Sequence, residues 1–268
     1  MLRDITLGQY YQADSPLHRL DPRTKLIGTF VFLISLFIFR SLVGLLIASV
    51  FLFSIIKLSR VPFKFMVRGM KSIIVIMMIT VVFNMFLTPG VPLLTFWKFT
   101  ITDEGLKTAF FTAIRLIYLI IGASVMTLTT TPNQLTDALE DIMNPLKFFN
   151  LPVHEVAMMM SIALRFIPIL LDETDKIMRA QTARGADFEH GNLIERAKSL
   201  VPILVPLFVS AFRRANDLAM AMEARCYRGG EGRTKMKPLS YKQRDAISFV
   251  IVITYLIAII LVRILDLP

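Results

Sequence analysis

From Leu26 to Ile56 the chain reads LIGTFVFLISLFIFRSLVGLLIASVFLFSII, with Arg40 as its only charge. A helix that crosses a bilayer needs about 20 apolar residues, within a range of about 17–25. The run is too long for one crossing and short for two. It predicts two membrane helices, the first starting near Thr24, joined by a tight turn at Arg40-Ser41. Three further apolar stretches follow: SIIVIMMITVVFNMFL from Ser72, a run from about Leu106 to Leu128, and AISFVIVITYLIAIILV from Ala246 to Val262. Composition agrees. Hydrophobic residues make up 55% of the 268, above the roughly 45–50% of soluble domains, and mean hydropathy is +0.62.

Charge then orients the helices. Arg3, Arg19, Arg23 and Lys25 precede the first crossing, and Lys57, Arg60, Lys64, Arg68 and Lys71 fill the segment after the second. The opposite side carries only Arg40, Lys98, Lys107 and Arg263. Basic residues gather on the cytoplasmic side, so the N-terminus is expected there and, after five crossings, the C-terminus outside. The net charge of +10 fits such flanks better than a nucleic-acid surface. The N-terminal stretch has no apolar core followed by a small-residue cleavage site and reads as a cytoplasmic arm. The single cysteine, Cys226, excludes an intrachain disulfide. The segment TPGVPLLTFWKFTITDEG reads as an interfacial loop with room for a small hairpin, Trp97 lying at headgroup depth.

Residues 131–244 differ in character, mixing both signs of charge with apolar stretches. Thr131, Pro132 and Gln134 form a capping-box signature that opens a short helix to about Met143. Two long helical runs follow, Val153 to Arg184 and Leu193 to Arg225, each ~45–50 Å at 1.5 Å per residue. Pro168, Pro202 and Pro206 fall inside them and are expected to bend or break them. Their first parts are nearly all apolar and their later parts amphipathic, as in a helix that leaves the bilayer for water. Ala157 with Ser161, and Ala211, Ala215 and Ala219, recur four apart, which permits close helix packing in an apolar setting or is ordinary alanine content. The resulting architecture is an all-α polytopic membrane protein with about five transmembrane helices. The expected divisions are an arm over 1–23, four membrane helices over 24–130, a helical block over 131–244 and a last membrane helix in 245–268.

Little in the chain resembles catalytic or metal-binding machinery. His18, His154 and His190 are scattered, without partners at metal-ligand spacing. Asp172, Glu173 and Asp175 read as a solvated helix turn. GGEGRT, from Gly229 to Thr234, is no phosphate-binding loop: no Lys follows its last Gly, Tyr227 stands where the first Gly belongs, and a helix precedes it instead of a strand. Arg115 and Asn84 lie within expected membrane helices, where a polar group faces protein or a water-filled path. Too few such residues occur to line a substrate route, and no internal repeat marks a secondary transporter.

The most distinctive feature is a repetition. Ala183-Arg184-Gly185 and Ala224-Arg225-Cys226 end the two long helical runs with nearly the same tripeptide. An arginine near a helix C-terminus interacts well with the macrodipole, and Gly185 can supply a left-handed cap. Cys226 is expected to cap poorly, so capping alone does not account for the second copy. These two motifs, with HRLDPRTK (His18 to Lys25), LTTTPNQL, ALRFIPIL, AQTARGAD and EARCYRGGEGRT, resemble the transmembrane (T) component of energy-coupling factor transporters, the CbiQ-like family of ABC-type importers. The resemblance covers nearly the whole chain and departs from the strict motif at Cys226, which stands where the family has Gly.

The resemblance implies a cytoplasmic coupling domain whose two long helices cross. Their ends, carrying Arg184 and Arg225, would dock into two ATP-binding ATPase subunits, and their apolar faces would cradle a small membrane substrate-binding subunit. The chain itself would bind no cofactor and catalyse nothing, ATP being hydrolysed by its partners. A conventional ABC permease with its own substrate path remains an alternative. So does a membrane-anchored interaction protein with a basic cytoplasmic domain, which the many acids in 131–244 disfavour.

Overall fold

The computed structural model describes residues 10–39, 41–68, 73–96, 99–149, 151–186, 188, 193–230, 234 and 236–265. Arg40, Trp97, His190 and the Glu231–Arg233 part of the glycine-rich loop lie outside the described residues, as does the N-terminal arm before Tyr10. Nine α-helices account for almost all regular structure among those described: α1 (Pro22–Ser35), α2 (Leu42–Ser59), α3 (Phe63–Arg68), α4 (Ile74–Leu87), α5 (Asp103–Thr129), α6 (Pro132–Met143), α7 (Val153–Ala183), α8 (Leu193–Ala224) and α9 (Gln243–Ile264). The exceptions are a 3₁₀ helix (Asn144–Phe149) and a hairpin of β1 (Pro92–Phe96) and β2 (Phe99–Thr102), antiparallel with Phe96 opposite Phe99, in the segment expected to be an interfacial loop.

Among the described residues, four helices are long and apolar enough to cross a membrane: α2, α5, α7 and α9. The 14-residue helices α1 and α4 reach only ~21 Å, against about 30 Å of hydrocarbon. The long apolar run does divide in two as expected. A turn follows α1, and Ser41 caps α2 by accepting the Gly44 N–H at 3.2 Å. Gly44 is required there, because a Cβ would lie 2.6 Å from the Phe39 ring. The chain forms two compact units, one of Gly8–Ala138 with Leu239–Pro268, the other of Leu139–Pro238.

In the first unit α1 packs on α5 and α9, α2 on α5 and α9, and α4 on α5. Phe32, Leu36, Leu52, Val125 and Ile259 form its core. The Phe51 and Tyr255 rings stack with centroids 4.1 Å apart, and Tyr255 and Ser35 join their hydroxyls at 2.7 Å. This hydrogen bond satisfies two polar groups that an apolar core would otherwise penalise. Outward faces stay apolar: Phe53, Leu46 and Val50 on α2, and Val250, Ile253 and Ile257 on α9, are more than half exposed. Apolar surface on this scale is unstable in water and ordinary against lipid. Arg115 of α5 donates to the Phe39 carbonyl at 3.4 Å and lies 5.4 Å over the Phe37 ring, so its charge is met by a carbonyl and an aromatic face.

The ends of α1, α5 and α9 are tied by a polar knot. Asp21 caps α1, accepting from the Arg23 N–H at 2.9 Å and from the Arg23 guanidinium by two bonds of 3.0 Å. Its own N–H donates to Asp245 at 2.8 Å, and the other Asp245 oxygen accepts the Lys242 N–H at 2.8 Å at the start of α9. The Arg23 guanidinium lies 4.0 Å over the Tyr241 ring. Lys25 is buried and donates to the carbonyls of His18 and, at the end of α5, Thr129.

In the second unit α7 and α8 pack on each other. Both remain helical through Pro168, Pro202 and Pro206, so the prolines do not break them.

Candidate partner-docking site

Helices α7 and α8 run antiparallel. Gln181 near the end of α7 donates to the carbonyl of Pro202 at 3.4 Å near the start of α8. Midway along both, Glu173 accepts from the Ser210 hydroxyl and from Arg214 at 3.0 Å. Further on, Ile162, Phe166 and Leu170 of α7 line a groove with Ala211, Ala215, Ala219 and Met222 of α8. The acidic cluster expected to be a solvated turn therefore contributes a residue, Glu173, that ties the two helices together by two hydrogen bonds. The helical period was its only sequence signal, placing Glu173 on the same face as Phe166 and Leu170.

The alanine stripe of α8 faces α7, but the helices do not close on it. Ala211 is half-buried, Ala215 and Ala219 are exposed, and an apolar groove of about 260 Å³ stays open along them. On α7, Ala157 is buried and Ser161 exposed.

The two tripeptides occupy identical positions. α7 ends at Ala183 and α8 at Ala224, and each arginine is the residue on which its helix closes. After α7, Gly185 and Ala186 donate their N–H groups to the carbonyls of Thr182 and Gln181, both at 3.0 Å. After α8, Cys226 and Tyr227 donate to Glu223 and Met222, at 2.8 and 3.1 Å. Each is a Schellman cap, with bonds six-to-one and five-to-two around a left-handed residue. Gly185 holds that conformation at φ 89° and Cys226 at φ 56°. The expectation that Cys226 would cap poorly, with a different turn, is thus overturned. The same two hydrogen bonds close both helices, and they outweigh the cost of a left-handed non-glycine residue, roughly 1–2 kcal/mol. Capping accounts for the small residue in both copies.

It does not account for the arginines. Ala183, Arg184, Gly185, Ala224, Arg225 and Cys226 are all exposed. Neither guanidinium has a hydrogen-bond or ion-pair partner among the described residues. Because the helices are antiparallel, these two like ends lie at opposite ends of the pair. Arg225 is 23 residues beyond the Pro202 level at which α7 finishes, so the separation is roughly 35 Å.

The loop after α8 returns to the start of α7. Gly230 packs against the His154 ring so closely that a Cβ would sit 2.4 Å from it, and His154 pairs with Glu140 of α6 at 2.9 Å. At the other end, the capping box of α6 is as expected: Gln134 donates its N–H to the Thr131 hydroxyl at 3.3 Å and accepts the Thr131 N–H at 3.2 Å. The described residues hold no cluster of three or more His, Cys, Asp or Glu side chains able to ligate a metal.

Comparison with known proteins extends over the same residues. The family model CbiQ, described as a cobalt transport protein, matches residues 13–236. The energy-coupling factor transporter transmembrane protein EcfT of Clostridium kluyveri is 54% identical over 250 residues, covering 92% of this chain and 93% of that protein. EcfT of Ruminiclostridium cellulolyticum is 51% identical over 263 residues and 98% of both chains. EcfT of Bacillus subtilis is 47% identical over 246 residues, 91% of this chain and 93% of its own. With predominantly helical units, four described helices of membrane-crossing length and this similarity along both motif-bearing helices, the chain belongs to the CbiQ family, as a multi-pass transmembrane component of energy-coupling factor transporters.

Proposed function

We propose that the chain is the coupling scaffold of an ATP-driven importer of vitamins or other micronutrients. Arg184 and Arg225 dock into two ATP-binding subunits, and the apolar faces of α7 and α8 hold a separate substrate-binding membrane subunit. The observation that carries this reading is the pair of exposed guanidiniums, without partners among the described residues, on identical caps at opposite ends of an antiparallel helix pair. Such a pair has an approximate two-fold axis between its helices, and two like sites suit two like partners. Arginine presents a planar fork that pairs bidentately with carboxylates and stays charged when partly buried. Alanine before it leaves room for a groove wall.

Helices do not compress, so motion of two partners toward each other would be delivered along the pair to whatever rests on its exposed faces. Leu204, Phe208 and Phe212 of α8 are each more than half exposed and offer such a seat, with the groove along Ala211, Ala215 and Ala219 beside it. In this reading the arm and the α7–α8 block are cytoplasmic, so that α7, although long and apolar enough to cross, lies against the membrane face; the chain itself binds no nucleotide, and substrate choice belongs to the separate subunit. The test is Arg184→Glu and Arg225→Glu, singly and together, with co-purification of ATPase subunits and ATP-dependent uptake measured. Each single change is expected to weaken assembly and the double change to abolish uptake. Intact assembly and transport in the double variant would overturn the proposal.

A further inference from the structure

Between α1, α2, α5 and α9 lies a partly open cavity of about 320 Å³, a size typical of ligand pockets. Its wall is almost wholly apolar, with Leu17, Phe32, Leu52, Ile55, Val125 and Ile251 among the lining residues. Six polar side chains break this surface. Thr29 and Ser248 are half-buried, and Thr129 donates its hydroxyl to the Val125 carbonyl at 2.8 Å. Lys25 lines it with its stem, but its ammonium is spent on the carbonyls of His18 and Thr129. Thr24 lines it and is only 2% exposed, yet its hydroxyl has no hydrogen-bond partner among the described residues. Arg244 lines it too, is exposed, and has no partner among the described residues.

Arg244 stands in the first turn of α9, where the helix macrodipole disfavours a cation. Its position is therefore explained by something outside the helix. The same end of the bundle carries Lys57, Arg60 and Lys242, all exposed. A buried water would need two to four polar partners, and Thr24 is the one lining hydroxyl that is both buried and without a partner among the described residues. An apolar well, one unsatisfied hydroxyl on its side and a free guanidinium in a basic surround match, in order, the acyl chain, ester and headgroup of a lipid.

We propose that this cavity is a binding site for an anionic glycerophospholipid. One acyl chain enters between α1 and α9, the Thr24 hydroxyl donates to the ester carbonyl, and Arg244 pairs with the phosphodiester. The site lies within one unit of the chain and stands independently of the docking role assigned to Arg184 and Arg225.

The experiment uses the full chain, alone and assembled with its partner subunits, in phosphatidylcholine vesicles. These are doped with phosphatidylglycerol carrying a photoreactive acyl chain or, in parallel, with the matching phosphatidylcholine probe. Cross-links from the phosphatidylglycerol probe are expected on the cavity-lining residues Gly28, Phe32, Ile251 and Val252. Arg244→Gln should lower them about fivefold, the worth of one basic residue beside an anionic headgroup. Thr24→Val should lower them less, and Ser248→Leu, which fills the wall, should remove them. Thermal unfolding of each variant is followed in parallel, and exposed Arg244 provides the variant least able to disturb folding. Equal labelling by both probes with no response to Arg244→Gln overturns the proposal. So does labelling confined to outward residues such as Ile253 and Ile257, or loss of cavity labelling on assembly, which would make the occupant a protein segment.

Discussion

Exchanging the two cap residues offers a direct test of the matched helix ends. Cys226 holds φ 56°, where an L-residue pays roughly 1–2 kcal/mol that glycine does not. Glycine in turn gives back about 0.5–1 kcal/mol through its freer unfolded chain. Cys226→Gly should therefore stabilise the end of α8 by a net ~0.5–1 kcal/mol. Gly185→Ala should destabilise the end of α7 by a similar amount, purely through the backbone, because an added Cβ there meets nothing within 4 Å. Hydrogen exchange reads both, since the Ala186 and Tyr227 amides are held by the carbonyls of Gln181 and Met222. Exchange at Tyr227 should slow about two- to fivefold in Cys226→Gly, and exchange at Ala186 should quicken by a similar factor in Gly185→Ala. Unchanged or faster exchange at Tyr227 in Cys226→Gly would refute the claim that both ends share one cap.

Three further outcomes follow from contacts described above. Glu173→Gln leaves the Ser210 and Arg214 side chains with a neutral partner and should loosen the α7–α8 pair by about 1–2 kcal/mol, seen as a lower unfolding temperature and faster exchange along α8. Lys25→Met strands the His18 and Thr129 carbonyls in a buried setting and should cost about 2–4 kcal/mol, with earlier detergent-induced unfolding of the Gly8–Ala138 unit. His18 is held below its ordinary pKa of 6.5, chiefly by burial, with Lys25 adding to the effect and the Tyr11 carbonyl opposing it. Its contribution to stability is then complete above pH ~6.5 and falls away as pH drops, because the unfolded chain takes up the proton first. Proteolysis of the segment around Tyr11 should accelerate between about pH 7 and 5.5, and His18→Asn should flatten that dependence.

What could be read from the sequence was local. The α6 capping box involves residues three apart, and both of its hydrogen bonds form where Thr131 and Gln134 placed them. The ends of α7 and α8 fall one residue before the arginines that marked them, because cap chemistry is written within a single turn. The knot at Asp21 could not be read in this way. The residue that receives its N–H, Asp245, is 224 positions away, and no periodicity connects an arm to a last helix. Glu173 failed to stand out for a related reason: a carboxylate on a helix looks solvated until the facing helix is known. The left-handed Cys226 marks the limit of residue preferences, since two backbone hydrogen bonds decided a conformation that side-chain statistics disfavour. Crossing lengths were blurred by hydropathy, which is higher in the 14-residue α4 than in the longer α2.

Cys226 also has a practical consequence. It is the chain's sole thiol, and it is exposed at one tip of the α7–α8 pair. A maleimide fluorophore or spin label would therefore attach beside Arg225 and nowhere else, with no cysteine to remove first. A cysteine at one cap where the other has Gly185 thus breaks the equivalence of two otherwise matched ends, and it lets the movement of one be recorded while the other stays untouched.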